Sequence, residues 1–259
     1  MIVRAVPAVS RAIAILRLLG HARSPMGVKA IAQALEIVPS TALHILRVLV
    51  AEEFVKVDAE KQYTLGMGTL ALARASLESD DFPARVQPHL DVLSRRYGVT
   101  SIGLALPNLQ HMIVVALSRS QSPVRLHVDV GSRFPTLISA TGRCVAAFGH
   151  HPAAEIEKHF KALRWDNAPS WAAWCREVDA TRRQGYSIDR DTYIAGVTIV
   201  SVPVLNERRA MSRGIASVGI SGQLDRARSV KLAREMQEAA QLVERLQEPR
   251  AEVSARHKR

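Results

Sequence analysis

The sequence predicts an α+β protein, with a winged helix-turn-helix at the N-terminus joined by a linker helix to a larger unit of antiparallel sheet flanked by helices. Three observations carry this. Between Gly27 and Gly66 an apolar helical repeat breaks at residues 36–39, resumes, and gives way to two short strand-like runs. From Val99 onward the texture changes to short β-branched segments separated by turn residues. A long amphipathic pattern closes the chain, so strands occupy the middle and helices both ends.

Residues 1–6 read as a loose arm. Pro7 opens a first helix with Val9, Ile13, Leu16 and Leu19 on one face, and Gly20 ends it. Arg11 and Arg17 lie off that stripe. Such a helix packs on the helix-turn-helix and is also placed to meet a partner subunit. Ala30, Ile31, Ala34 and Leu35 mark the next helix. Pro39 pushes Val38 out of helical geometry and itself suits a first helical turn. A new helix therefore starts at Ser40 and Thr41, with Ala42, Ile45, Leu46 and Leu49 buried. At roughly 100° per residue, Ser40, His44 and Arg47 fall on the opposite face. That face is short, polar and partly basic, as a helix lying in a DNA major groove requires. Phe54, Val55 and Val57, then Tyr63 and Leu65, flank residues 58–62 as a hairpin wing, with Lys56 and Lys61 near its tip. The candidate DNA contacts are Ser40, Thr41, His44 and Arg47 on bases or phosphates, and Lys56 and Lys61 on phosphates. A recognition helix with one arginine reads few bases, so two half-sites and a dimer are expected.

The Ala/Leu-rich segment 69–79 reads as a connecting helix, and Asp80-Asp81-Phe82-Pro83 marks the boundary after it. A helix over 84–97 carries Val86, Leu90 and Leu93 and stops at Gly98. Strands are predicted over 101–106, 112–117 and 124–130, with a loop over 131–135. A helix opens at Ser139-Ala140-Thr141-Gly142 and runs to about Phe148, and two more cover 152–163 and 171–184. Strands resume over 186–188, 197–204 and 215–220, and the last helix spans 224–246.

At 259 residues the chain has room for two modest domains. Its net charge of +11 and pI near 10.3 favour polyanions through phosphate contacts and counterion release. The charge is spread, however. Residues 1–66 hold eight Lys/Arg against five Asp/Glu, and further clusters stand at Arg182-Arg183, at Arg208-Arg209-Arg213 and in the tail Arg256-His257-Lys258-Arg259. Cys144 and Cys175 have no metal-like spacing and suit a reducing compartment. The apolar run 12–19 is broken by Arg17 and lacks a cleavage-site pattern, and no segment approaches the ~20 apolar residues that span a bilayer. A soluble, cytoplasmic protein without a membrane partner is expected. His150, His151, Glu155 and His159 recur at helical spacing, but read as a solvated polar face rather than a metal set. Trp171 and Trp174 read as core anchors. There is no G-x-S-x-G elbow, no phosphate-binding glycine loop and no H-E-x-x-H, so neither a catalytic constellation nor a cofactor is expected.

Taken together, several segments resemble the isocitrate-lyase-regulator (IclR) family of bacterial transcription regulators, over about residues 7–247. They are Val9-Ser10-Arg11-Ala12, Pro39-Ser40-Thr41 with Ile45-Leu46, and Tyr63-Thr64-Leu65-Gly66. Beyond these come Val130-Gly131 with Ala140-Thr141-Gly142-Arg143, then Gly185-Tyr186-Ser187-Ile188-Asp189, Gly196-Val197, Val202-Pro203-Val204 and Gly219-Ile220-Ser221-Gly222. Their order and spacing, not any one motif, carry the likeness. The resemblance implies a winged helix-turn-helix domain over 1–68, a linker helix over 69–82, a GAF-like effector domain over 83–248 and a basic tail over 249–259. It further implies a homodimer or homotetramer that binds double-stranded promoter DNA and responds to a small organic acid or aromatic catabolite, as repressor or activator.

Carried over from the family, the effector site involves Leu126, Ala140, Thr141, Gly142, Asp189, Val197, Ile199, Gly219 and Ser221. Thr141 and Ser221 would supply hydrogen bonds, and Leu126, Val197 and Ile199 an apolar wall. Asp189 would accept from a ligand hydroxyl. The helix start at Ser139–Arg143 independently suits a carboxylate, because its free N–H groups and dipole favour negative charge. The sequence departs from the family at His44, where a basic residue is usual, and at Pro39, often lysine. It departs again at Arg143, usually lysine, at the aliphatic Ile199, and at Gly219, where a hydroxyl is often found. These changes point to a ligand bulkier or less polar than a two- or three-carbon acid. Two other classes stay open on the residues alone: a small-molecule enzyme using the GAF-like cavity with Cys144, and a module whose N-terminal helices bind protein.

Overall fold

The computed structural model describes residues 6–78, 80–119 and 128–245, without the side chains of 76–78. They fall into two compact units, Met1–Asp80 and Asp81–Arg259.

The first unit packs α1 (Pro7–His21), α2 (Val28–Ala34) and α3 (Pro39–Ala51) against a three-stranded antiparallel sheet of β1 (Met26–Gly27), β3 (Gln62–Leu65) and β2 (Val55–Val57), in that order. Ile15, Leu19, Ile31, Leu46, Leu49, Val55 and Tyr63 form its core. Pro39 stands in the first turn of α3, and Val38 before it is extended (φ −67°, ψ 134°), the geometry a following proline imposes. After the wing the chain returns beside the end of α3. A Cβ on Gly66 would lie 2.2 Å from the Glu53 carbonyl oxygen, so only glycine fits there. Helix α4 (Gly68–Glu78) follows. On α1 the expected buried stripe is corrected. Ile15 and Leu19 are buried, whereas Val9 and Ile13 are 55% and 42% exposed, alongside Val6 at 59%. The small core holds one stripe of this helix, and the second apolar stripe is left to solvent.

The second unit is a six-stranded antiparallel sheet in the order β6-β5-β4-β9-β8-β7. Its strands are β4 (Thr100–Ala105), β5 (Met112–Ser118), β6 (Arg133–Phe134), β7 (Ser187–Arg190), β8 (Val197–Leu205) and β9 (Met211–Ile220). Helices α5 (Phe82–Tyr97) and α9 (Arg226–Arg245) cover one face, burying Val86, Leu90, Leu232 and Met236 against Val200, Val202 and Ile215. On the other face lie α6 (Ser139–Phe148), α7 (Ala153–Lys161) and α8 (Trp171–Gln184). Trp174, Phe160, Val145 and Cys144 form a second core there. The loop predicted over 131–135 contains β6, a two-residue strand paired with Met112 and Ile113. Of the strand predicted over 124–130, residues 124–127 lie outside the described set, and 128–130 are not strand. The basic tail 249–259 also lies outside it.

Candidate functional site: a recognition helix and an enclosed effector cavity

In the first unit the axes of α2 and α3 turn through 112°, within the range of helix-turn-helix motifs. Helix α3 buries Ala42, Leu46 and Leu49. Ser40, His44 and Arg47 are exposed and Thr41 is half-buried. The first turn of α3 holds no acidic residue and no side-chain cap, which leaves its N–H groups open to a phosphate. Val48, next to Arg47, is 62% exposed, and Val38 is 65% exposed. Both escaped the sequence reading, which sorted α3 only into polar and core positions. An exposed valine on such a face offers apolar contact to a thymine methyl. In the wing, Lys56 stands opposite Thr64, while Lys61 adopts a left-handed conformation (φ 57°) at the tip. The Asp58 carboxylate accepts the Gln62 N–H at 2.7 Å and closes that turn. Both lysines are exposed.

The second unit holds a cavity of about 140 Å³ between the start of α6 and the face of the sheet beneath it. Its walls are apolar, from Ile102 and Leu104 of β4, Met112 of β5, Ile199 of β8, and Ala216 and Val218 of β9. Tyr193 and Ile194, in the loop joining β7 to β8, also line it. Hydroxyls come from Ser139, Thr141 and Tyr193, and none of the lining residues is charged. Ser139 is 2% exposed, holds a left-handed backbone (φ 55°), and its hydroxyl has no hydrogen-bond partner among the described residues. A non-glycine residue in that conformation is strained, and such strain gathers at ligand sites. The Thr141 hydroxyl donates to Ser201 Oγ at 3.1 Å, and Ser201 donates to the Ile215 carbonyl at 3.2 Å. The Thr141 oxygen therefore retains acceptor capacity toward the cavity.

The residues carried over from the family divide on this geometry. Thr141 and Ile199 line the cavity. Ala140 packs behind it with Ile199 and Val218, and Val197 joins that cluster from the edge. Gly142 lies under the helix start, where an added Cβ would meet the Leu137 carbonyl oxygen at 2.0 Å; its role is close approach. Gly219 faces the opposite side of the sheet, toward Val99 and Leu224. The Ser221 hydroxyl is held by Thr198 Oγ1 at 2.9 Å and Asp191 at 2.6 Å. Leu126 lies outside the described residues.

Asp189 has partners of its own. It is 1% exposed, pairs with the Arg143 guanidinium at 3.2 Å, and accepts the N–H groups of Thr192 and Tyr193 at 3.2 Å each. Arg143, 2% exposed, also pairs with Glu177. The guanidinium and both carboxylates therefore compensate one another, and the carboxylate ties down the loop that roofs the cavity. Asp191 accepts the Gly196 N–H at 3.0 Å, and Asp166 accepts that of Ala195 at 2.9 Å. Tyr193 then rests edge-on against Trp165, with ring centroids 6.4 Å apart. Through Phe160 this contact continues to Trp171 and Trp174. The sequence reading missed Tyr193 and Ile194 because a loop residue carries no periodicity to say what it faces.

Cys144 is fully buried against the Ser201 carbonyl, and burial pushes its thiol up to about 12. It carries no thiolate at neutral pH to serve as a nucleophile. Among the described residues no three His, Cys, Asp or Glu side chains gather closely enough to hold a metal ion, and no single helix is long and apolar enough to cross a membrane.

Comparison with known proteins bears on both halves. Residues 8–59 match the model of the IclR helix-turn-helix domain, and residues 74–245 that of the bacterial transcriptional regulator IclR C-terminal domain. The glycerol operon regulatory protein of Streptomyces griseus is 31% identical over 225 residues, covering 86% of this chain and 87% of the relative. The transcriptional repressor AllR of Escherichia coli K12 is 24% identical over 230 residues, 85% of this chain and 81% of the repressor. Among solved structures, an IclR regulator from Alicyclobacillus acidocaldarius shares the fold with a TM-score of 0.81 at 22% identity, over 93% of this chain and 99% of the other. An IclR homologue from Microbacterium hydrocarbonoxydans, complexed with 4-hydroxybenzoate, gives 0.75 at 18% identity, over 92% and 98%. This chain belongs to the IclR family of bacterial transcriptional regulators, pairing a helix-turn-helix DNA-binding unit with an effector-binding C-terminal domain.

Proposed function

We propose that this regulator reads promoter DNA through Ser40, Thr41, His44 and Arg47, with Lys56 and Lys61 on phosphates, and that its effector is a singly charged molecule with an apolar, ring-sized body. The cavity lining carries the second half. Its walls are largely hydrocarbon apart from the hydroxyls of Ser139, Thr141 and Tyr193, and the buried arginine nearby is already committed to Asp189 and Glu177. A carboxylate is favoured at the start of α6, where N–H groups of the first turn and the Ser139 hydroxyl are free to donate. A ring then lies against Tyr193 and the sheet. At ~25 cal/mol per Å² its burial contributes roughly 2–4 kcal/mol. The structural neighbour holding 4-hydroxybenzoate fits this class. Glycerol, which appears in the name of the Streptomyces relative, suits the lining less well, since most of the wall is apolar and offers its hydroxyls no hydrogen-bond partner.

The assay is built into the fold. All three tryptophans of the chain, Trp165, Trp171 and Trp174, sit in the cluster behind Tyr193. Titration of the full chain with benzoate, 4-hydroxybenzoate, pyruvate and glycerol is expected to shift the emission, with an aromatic acid binding at least tenfold tighter than pyruvate or glycerol. The Ser139→Ala variant loses part of that preference. Tighter binding of pyruvate or glycerol would overturn the assignment. Regulation further requires that the effector bind DNA-bound and free protein with different affinities, the factor being the same in both directions.

We infer that the chain assembles, the exposed Val6, Val9 and Ile13 at the start of α1 meeting a second copy. The homodimer, or a homotetramer built from it, supplies two recognition helices for two half-sites.

A further inference from the structure

Two arginine clusters that lie apart in the chain meet on the surface of the effector unit. Arg182 and Arg183 end α8, and Arg208 and Arg209 occupy the turn between β8 and β9. Two adjoining hollows of about 290 and 420 Å³ run between them and the last turns of α9, sharing Leu205, Arg209, Gln241 and Glu244. Their lining holds Arg182, Arg183, Arg209 and Arg245 against the two acids Glu207 and Glu244, and Arg208 stands beside Arg209 in the turn at their edge. Glu244 is occupied, accepting the Leu205 N–H at 2.6 Å, and Arg182 pairs with Asp179 at 2.7 Å. Arg183, Arg208, Arg209 and Arg245 are exposed and form no ion pair among the described residues.

The turn that presents two of them is well fixed. Asn206 Oδ1 accepts the N–H groups of Arg208 at 3.0 Å and Ala210 at 3.1 Å, and Arg209 donates its own N–H to the Asn206 carbonyl at 2.8 Å with a left-handed φ of 57°. Cations that outnumber the acids beside them repel one another in the free protein, and a polyanion relieves that repulsion. The cations are spread over three elements instead of converging on one point. That layout suits a string of phosphates better than a single small anion. Guanidinium forks also bind phosphate oxygens in pairs.

We propose that this groove is a second nucleic-acid surface, on the effector unit, that takes the phosphate backbone of duplex DNA without regard to sequence. It is separate from the recognition helix and wing, and it contributes affinity and salt dependence but no base discrimination.

The test uses the full chain carrying Arg183→Gln, Arg208→Gln and Arg209→Gln together, with the three corresponding lysine substitutions as a second variant. Fluorescence anisotropy on a mixed-sequence duplex several helical turns long is followed across a salt series. Each phosphate contact contributes about 0.9 to the slope of log K against log salt, so the glutamine variant is expected to lose about 2 to 3 from that slope and to bind roughly tenfold or more weakly at moderate salt. The lysine variant keeps the slope, since a point cation still neutralises a phosphate. A glutamine variant with the wild-type slope overturns the proposal. So does a lysine variant that loses as much slope as the glutamine one, because the loss would then follow structure and not charge.

Discussion

Asp189→Ala removes a carboxylate that is 1% exposed from between a 2% exposed guanidinium and two backbone N–H groups. Arg143 is left with Glu177, whose side chain is 50% exposed and whose charge water partly screens. Breaking a buried pair by deleting one partner costs about 3–5 kcal/mol, because the survivor remains buried and uncompensated. The N–H groups of Thr192 and Tyr193 lose their acceptor as well. For a unit of this size each kcal/mol shifts the melting temperature by about 2–4 °C, so a drop of roughly 6–20 °C is expected. Thermal and urea unfolding of the full chain, followed by tryptophan emission, reads the effector unit, since all three tryptophans lie there. Asp189→Asn keeps an acceptor for the loop and loses the charge, and should fall in between. The double variant Arg143→Met, Asp189→Leu removes both charges and should recover much of the loss. Because the loop carrying Tyr193 and Ile194 is released, effector binding should weaken in Asp189→Ala even where the protein is still folded. A single Ala variant within 1 kcal/mol of wild type would refute the reasoning, and so would a double variant no more stable than the single one.

Two further outcomes follow from surfaces and protonation. Ile13→Asp places a charge on the exposed α1 stripe and leaves the core residues Ile15 and Leu19 untouched. Sedimentation should show loss of the dimer with wild-type unfolding behaviour, and an unchanged assembly would remove α1 from the interface. Tyr97, buried and donating to Glu235 at 2.7 Å, has its phenol pushed up to about 12, first by burial and then by that carboxylate. The folded state therefore holds this proton more tightly than the unfolded chain, whose phenol titrates near 10. Its contribution is intact below pH 10 and is lost as pH rises toward 12. The stability difference between wild type and Tyr97→Phe should shrink across that window, and a pH-independent difference would contradict the assignment.

Much of the molecule follows from signals a few residues long. Pro39 sets the start of α3 because it acts on its neighbour's backbone. Ser40, His44 and Arg47 share an exposed face because helical periodicity puts them there, whatever the rest of the chain does. The wing with Lys61 at its tip, the helix from Ser139 to Phe148, and the change from helix to strand texture at Val99 are of the same kind. Other features depend on partners distant in sequence. Along α1 two apolar stripes compete, and which one is buried depends on where α3 and β3 stand, so Val9 and Ile13 emerge on the surface.

The cavity lies furthest from local reach. Strand β8 is buried along both faces, so it lacks the in–out alternation that would assign Val197, Ile199 and Ser201 to one side. Gly219 belongs to the opposite face only because α5 and α9 pack there. Asp189 could be matched to a family position from sequence, but Arg143, 46 residues earlier, is what defines its chemistry. Tyr193 reaches the cavity through a loop held by three carboxylates, and Arg183 meets Arg209 only once α8 and the β8–β9 turn border the same groove. The sequence alone determined the family, most of the element order and the exposed polar face of α3, since those rest on short-range backbone and periodicity rules. Tertiary structure alone decided which side chains share the cavity and which charges neutralise each other, because burial and Coulomb energy depend on distances in space that separation along the chain does not specify.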